Sequence, residues 1–228
     1  MSSQGALSGT GIPNFGLIET FRWSPEEGYT LLNEHMQRLE RSALAFGFEF
    51  RRDLVLGRLT DFAGGLDKTP QRVRLVLFQG QLVEISTSPL NAPPPSVYRV
   101  AIAGARHASG EPLLHHKTTL RDRYEKPLAD AAASLSADEI LFLNEHEELC
   151  EGARSNIFVM GDGQLLTPPL HCGLLPGTLR ARLLKEGQAR EATLKLTDIA
   201  SDARWFMGNS VRGLVPARLI DDQGHPAS

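Results

Sequence analysis

The sequence predicts an α+β fold, and three observations predict it. Short alternating apolar runs are interleaved with amphipathic helical stretches. The runs do not alternate with helices in the regular way of a βαβ series, so the sheets are expected to be mixed or antiparallel. A dense Gly/Pro cluster, with Pro93, Pro94, Pro95, Gly104, Gly110 and Pro112, divides the chain in two. A boundary placed at 105–114 gives an N-terminal domain over 1–108 and a C-terminal domain over 109–228.

The elements follow in order. Residues 16–23 alternate as a strand and are stopped by Ser24-Pro25 and Gly28. Asn33 is the expected N-cap of a helix whose Leu32, Met36, Leu39, Ala43 and Phe46 make one buried stripe, ended by Gly47. A second amphipathic helix is expected near 53–62. Residues 72–78 and 82–87 alternate around Gln79-Gly80-Gln81 and form a hairpin. A strand at 98–104 precedes a helix over 119–134 that Pro127 either interrupts or starts. Strands are expected at 139–144, 155–160, 204–209 and 214–220, with a turn at Gly161-Asp162-Gly163 and helices at 178–186 and 198–203.

Bulk properties narrow the function. A chain of 228 residues, 41% hydrophobic, buries a sizeable core without staples. Its net charge of −3 and lack of a basic run give nucleic-acid binding no electrostatic support. No stretch approaches the ~20 apolar residues of a membrane span. The Ser/Gly-rich first ten residues lack an apolar signal core, and Cys150 and Cys172 have no metal-ligand spacing, so a cytoplasmic protein with free thiols is expected. His107, His146 and His171 are scattered without metal spacing either, and no metal is expected.

Candidate chemistry centres on Lys117, set in His115-His116-Lys117-Thr118-Thr119 between an irregular stretch and a helix. A Lys amine forms a Schiff base with an aldehyde once burial or a nearby cation lowers its pKa. Glu151 could keep a pyridine nitrogen protonated and so make the ring an electron sink. Asn156 could fix a turn or a ring oxygen. The loop 173–178 feeds a helix whose N-terminus, with the Thr178 hydroxyl, suits a phosphate. Asn209 and Ser210 end a strand and offer further donors. His35 and Arg38 share a helix face, and a guanidinium there could fork onto a phosphate. Arg22, on the same strand as Glu19, could receive a carboxylate. Each of these residues taken singly also reads as a solvated side chain or a turn former.

Taken together, the segments resemble the class IV, or fold-type IV, pyridoxal-phosphate enzymes. They are Leu-Ile-Glu-Thr-Phe-Arg-Trp (17–23), His-Met-Gln-Arg-Leu-Glu-Arg-Ser-Ala (35–43), His-Lys-Thr-Thr (116–119), Glu-Gly-Ala-Arg-Ser-Asn-Ile-Phe (151–158), Gly-Leu-Leu-Pro-Gly-Thr-Leu-Arg (173–180) and Gly-Asn-Ser-Val-Arg-Gly-Leu-Val-Pro (208–216). The resemblance implies a two-domain fold like that of D-amino-acid aminotransferase, with a small N-terminal α/β lobe and a larger β-rich C-terminal lobe. It implies pyridoxal 5'-phosphate held by Lys117, with Glu151 on the ring nitrogen and Asn156 close by. Arg38, Thr178, Leu179 (through its N–H), Asn209 and Ser210 would lie about the cofactor. Tyr124 would contact the ring hydroxyl or the substrate, and Arg22 or Arg154 would hold substrate carboxylates. Arg154 stands where many relatives have a small residue. The wording is most like the 4-amino-4-deoxychorismate lyase branch, which makes the folate precursor 4-aminobenzoate and pyruvate. A branched-chain or D-amino-acid aminotransferase and a non-catalytic cofactor-binding relative are the alternatives. The resemblance also implies a homodimer acting on a small molecule.

Overall fold

The computed structural model describes residues 15–90 and 92–226, so the Ser/Gly-rich first ten residues lie outside it. The chain builds two sheets. The first has the order β2 (Gly28–Tyr29), β1 (Leu17–Ser24), β3 (Gln71–Leu77), β4 (Val83–Pro89), antiparallel throughout. Strand period two splits β1 between two environments. Leu17, Phe21 and Trp23 join Val73, Leu75 and Leu77 under α1 (Leu32–Phe46), whose Met36, Leu39 and Ala43 complete that core. The opposite face carries Thr20 beside Arg74 and Arg22 beside Arg72. The helix α2 (Arg52–Ala63) adds Val55 and Leu59 to the same core.

The second sheet runs β10 (Ala189–Glu191), β9 (Gln164–Thr167), β8 (Asn156–Gly161), β11 (Trp205–Asn209), β12 (Gly213–Leu219), β5 (Tyr98–His107), β6 (Glu139–Asn144), β7 (Leu149–Gly152). A further pairing of β7 with β8 closes the strands from β8 round to β7 into a ring. The alternation of β6 serves two cores: Leu141 and Leu143 meet Val100, Ile157 and Met207, while Ile140 and Phe142 lie under α3 (Asp122–Leu135) with Leu128 and Ala131. On another side α4 (Thr178–Lys185) packs Leu179 and Leu183 on Phe158 and Leu165.

Several expectations are corrected. Leu31, in the left-handed region at φ 55°, occupies the N-cap of α1, and Asn33 lies inside the first turn, where its Oδ1 accepts from Arg52 at 2.5 Å. The helix expected over 119–134 begins at Asp122, because 117–119 pair in extended form with 16–18; it runs through Pro127 without a break. No α-helix forms at 198–203: only a 3₁₀ turn, Leu196–Asp198, is present, and Ser201 and Asp202 sit in a turn, as residues that compete for backbone hydrogen bonds do. The passage between sheets falls between β4 and β5, around Pro93–Pro95, and not at 105–114, since β5 pairs with β12 and β6. The short strands β7, β9 and β10 were not anticipated.

Candidate active site

A cavity of about 670 Å³ opens between the two sheets. Its position for Lys117 is set by backbone pairing: the Ile18 N–H donates to Lys117 O at 2.7 Å, Leu17 bridges Thr118, and the Thr119 N–H donates to Gly16 O at 2.9 Å. The segment therefore runs as an extra stretch of extended chain along β1, and the side chain of Lys117 lines the cavity. Burial lowers the Lys117 amine to about 7, helped by Arg121 and Arg38 and opposed by Glu19 and Glu151. At neutral pH a large share of it is the free, nucleophilic amine.

Glu151 is buried on β7 and faces the same cavity. Its Oε1 accepts from the Tyr124 hydroxyl at 3.0 Å and its Oε2 from the Leu175 N–H at 3.1 Å. Burial raises the carboxyl to about 7 even against those two donors and the nearby Lys117 and Arg121. A basic ring nitrogen placed opposite would favour the ionised form and become protonated in return.

Glu151 pairs with Asn156 across the β7–β8 turn. Asn156 Nδ2 donates to Leu175 O at 3.0 Å. Its Oδ1 fills the space a side chain at Gly177 would take, 1.8 Å from an ideal Cβ. A Cβ there would have to displace the Asn156 amide, and the chain then enters α4 at Thr178. The first N–H groups of α4, including those of Thr178 and Leu179, have no partner within the helix. With the positive end of the helix dipole they make an anion cradle. Arg38 lines the cavity beside it. Glu19 holds Arg38 through Nε at 2.9 Å and Nη2 at 2.6 Å, and accepts from His35 Nδ1 at 2.5 Å. Burial alone would raise the Glu19 carboxyl, but Arg38 and then His35 outweigh it and hold it at about 2.

The structure brings together Arg38, Lys117, Tyr124, Glu151, Arg154, Asn156, Thr178, Asn209 and Ser210 around one cavity, with Leu179 immediately behind Thr178. Some expected roles change. The Tyr124 hydroxyl donates to Glu151 Oε1 at 3.0 Å, which leaves its oxygen able to accept. Asn209 has no free side-chain group: Nδ2 donates to Ser155 Oγ, and Oδ1 accepts from the N–H groups of Val211 and Arg212, building the turn after β11. Ser210 Oγ donates to Thr20 O at 3.2 Å. Arg22 is exposed and lies outside the cavity wall, on the same sheet face as Arg72. Arg154 lines the rim, paired with Glu125 at 2.9 Å.

Sequence reasoning passed over Arg72, Arg74, Arg121, Arg212 and Glu139. The first two read as the polar half of an alternating strand. Arg121 is the N-cap of α3, four residues beyond Lys117, donating to Glu125 Oε1 at 2.9 Å and to Ala153 O at 2.5 Å. Buried Glu139 accepts from the Ala153 and Arg154 N–H groups at 3.0 and 3.2 Å and so fixes the turn that carries Arg154.

Comparison with known proteins agrees with this geometry. Residues 16–220 match the family model described as amino-transferase class IV. A crystal structure of a provisionally named amino-acid aminotransferase from Mesorhizobium loti superposes with a TM-score of 0.84 at 40% identity, covering 91% of this chain and all of that one. A provisionally named branched-chain-amino-acid aminotransferase of Thermotoga maritima is 25% identical over 90% of this chain and 76% of its own length. A provisionally named aminodeoxychorismate lyase of Schizosaccharomyces pombe is 27% identical over 83% of this chain and 84% of its own. Enzymes of this class use pyridoxal 5'-phosphate. The site suits that group: an amine lowered to about 7, a carboxyl for the ring nitrogen, and an anion cradle lie on one cavity.

Proposed function

We propose, on the premise that the chain belongs to the amino-transferase class IV family, that it is a pyridoxal-phosphate-dependent lyase converting 4-amino-4-deoxychorismate to 4-aminobenzoate and pyruvate. One observation carries the choice of substrate. Arg72, Arg74, Arg154 and Arg212 all line the cavity rim. Partial burial is the main cause that pushes Arg72 below its ordinary pKa, and the Arg154 and Arg74 guanidiniums nearby add to it. Among the described residues Glu125 is the acid paired at this rim, and it is shared between Arg121 and Arg154. Such a rim fits a substrate with two separate carboxylates better than a branched aliphatic side chain.

When bound, pyridoxal phosphate supplies an aldehyde for amines and a ring that withdraws electrons from the carbon bearing the substrate nitrogen. Arg38, the Thr178 hydroxyl and the N–H groups at the start of α4 would hold the phosphate. Glu151, steadied by Tyr124 and Leu175, would keep a proton on the ring nitrogen. Lys117 would take the proton from the amine-bearing carbon of the substrate. The rim arginines orient the two carboxylates. The enolpyruvyl group leaves and gains a proton to become pyruvate, so the proton lost from carbon is balanced and the remaining ring becomes aromatic.

The test is a product assay: the cofactor-loaded protein with 4-amino-4-deoxychorismate is expected to release 4-aminobenzoate, and Lys117→Ala to release none. No product from loaded wild type removes the lyase reading. The Mesorhizobium loti relative, provisionally named an amino-acid aminotransferase, favours a second reading, amino transfer on the same residues. Conversion of bound cofactor to its amine form by ordinary amino acids would support it. We further propose a homodimer in a cytoplasmic setting, in accord with the buried free thiols of Cys150 and Cys172. No described helix is long and apolar enough to cross a membrane. A monomer by light scattering at working concentration would contradict the dimer.

A further inference from the structure

We infer that His35 is a positioning residue that takes up a proton as an anion enters the α4 cradle, reversing the hydrogen bond between His35 and Thr178. The inference rests on the phosphate-binding half of the proposed function and on none of its chemistry at Lys117.

His35 is fully buried, with the Phe21 ring 4.5 Å away. Its two nitrogens meet different partners. Nδ1 lies 2.5 Å from Glu19 Oε2, and Nε2 lies 3.3 Å from Thr178 Oγ1. The charged groups that face it are Glu19 on β1, Arg38 on its own helix, and Lys117 on the segment alongside β1; Thr178 is the partner from α4. Burial lowers the imidazole, and Arg38 and Lys117 add to this, while Glu19 opposes it. Glu19 is an ionised carboxylate and can only accept. The ring proton of neutral His35 therefore sits on Nδ1, and Nε2 is a bare acceptor. Among the described residues the Thr178 hydroxyl is the group within reach of Nε2, so that hydroxyl must donate to the ring.

This arrangement turns Thr178 the wrong way for an anion. Its proton is spent on His35, and its oxygen offers lone pairs to a cradle whose other members all donate. An arriving dianion draws the hydroxyl proton toward itself. Nε2 would then be a buried acceptor with no partner, which is costly. A proton from solvent on Nε2 removes that cost: Nε2–H donates to Thr178 Oγ1, and Thr178 donates to the anion. The added positive charge lies between Glu19 and the dianion, where both favour it. The chain Glu19–His35–Thr178 thus carries proton uptake and anion binding together. By linkage, the anion binds most tightly at low pH and loses affinity as pH rises through the anion-bound pKa of His35, at most about tenfold per pH unit for one proton.

Sulfate is the probe, because it stays a dianion across the neutral range and any titration belongs to the protein. Lys117 also titrates near neutrality, so the readout must be site-resolved. In cofactor-free protein labelled with 15N in histidine and in the backbone, His35→Gln assigns the His35 ring signals. At pH 7.5 without sulfate, His35 is expected to show one protonated and one bare nitrogen. At saturating sulfate, both are expected to be protonated. In Thr178→Val, sulfate is expected still to shift the Leu179 amide while His35 keeps its neutral pattern. A wild-type His35 that stays neutral while sulfate shifts Leu179 overturns the inference. So does conversion of His35 in Thr178→Val, which would put the coupling in charge alone. No response at Leu179 removes the cradle, and with it both this inference and the phosphate half of the proposed function. An intact sulfate response in a protein that fails to capture the cofactor at Lys117 fails the proposed function alone.

Discussion

The two walls of the cavity treat buried charge in opposite ways. On the N-terminal wall, Glu19 meets the fork of Arg38 and the ring of His35, three short hydrogen bonds to one carboxylate, and it stays ionised with its pKa at about 2. On the C-terminal wall, Glu151 is as deeply enclosed but is met by a phenol and one backbone N–H, both neutral donors, and burial wins: the carboxyl rises to about 7. Lys117, reaching in between them, has no described hydrogen-bond partner on its amine and falls to about 7. The number and charge of the partners, not depth, decide which buried group keeps its charge. In the proposed function the two walls have different tasks. The wall of Arg38 would face the phosphate, and its Glu19–Arg38 pair keeps both charges. The wall that exchanges protons needs groups balanced near neutrality.

This contrast can be broken at either wall. The largest expected effect is on turnover: Lys117→Ala removes the poised amine, and product formation in the lyase assay should fall by about 10⁴-fold or more, with folding intact. Next comes the paired wall. Arg38→Met leaves Glu19 buried with its main partner gone, and denaturant unfolding should show a loss of about 3–5 kcal/mol. Adding Glu19→Gln to it should recover a good part of that loss, because the uncompensated charge is then removed. An Arg38→Met protein as stable as wild type would mean that the wall does not depend on pairing.

Gly177→Ala tests whether the cradle is built by Asn156. The added Cβ meets Asn156 Oδ1 at 1.8 Å, and the expected cost is about 1–3 kcal/mol by thermal or denaturant unfolding. Pairing it with Asn156→Ala should relieve the clash but loosen the loop at Leu175.

A further test is the pH dependence of stability without cofactor. Glu151 has its folded pKa raised from 4.5 to about 7, so the stability it contributes is present at low pH and lost as pH rises toward 7. The stability gained by Glu151→Gln over wild type should therefore grow between pH 4.5 and 7 and then level off. Lys117 is the mirror case, lowered from 10.5 to about 7: its penalty is full below 7 and relieved as pH climbs to 10.5. The advantage of Lys117→Met should shrink over that upper window. Flat differences in both series would show that neither group titrates abnormally.

Much of this arrangement was legible in the sequence, and what was not has physical causes. Helix α1 was readable because Met36, Leu39 and Ala43 repeat on one face and Gly47 ends it in the left-handed conformation. Its start was not, because Leu31 enters the helix from a left-handed turn that no composition signal marks. Lys117, Glu151 and Thr178 were grouped by the resemblance of whole segments in order, since singly each reads as a surface side chain or a turn former. Arg72 and Arg74 were not, because alternation on β3 says only that they share a face. Pairing with β1 in a distant register decides that this face lines a cavity. Asn209 looked like a free donor; its amide is used up by a turn that forms only when Ser155 is brought beside it. The chain passes from the first sheet to the second in the first part of the Gly/Pro cluster, and only strand pairing reveals that β5 belongs to the closed ring. Glu19 and His35 were visible as a strand acid and a helix histidine, but their union with Arg38 needs β1 packed on α1.

The most direct measurement fixes the cofactor in place. The purified protein is incubated with pyridoxal 5'-phosphate, reduced with borohydride, digested and mapped by mass spectrometry. The phosphopyridoxyl group is expected on Lys117, with Lys68, Lys126, Lys185 and Lys195 unlabelled, and labelling is expected to weaken when Arg38→Met disables the anion end. A label spread over the surface lysines, or none on Lys117, would contradict the claim that this amine and the α4 cradle hold one molecule between them.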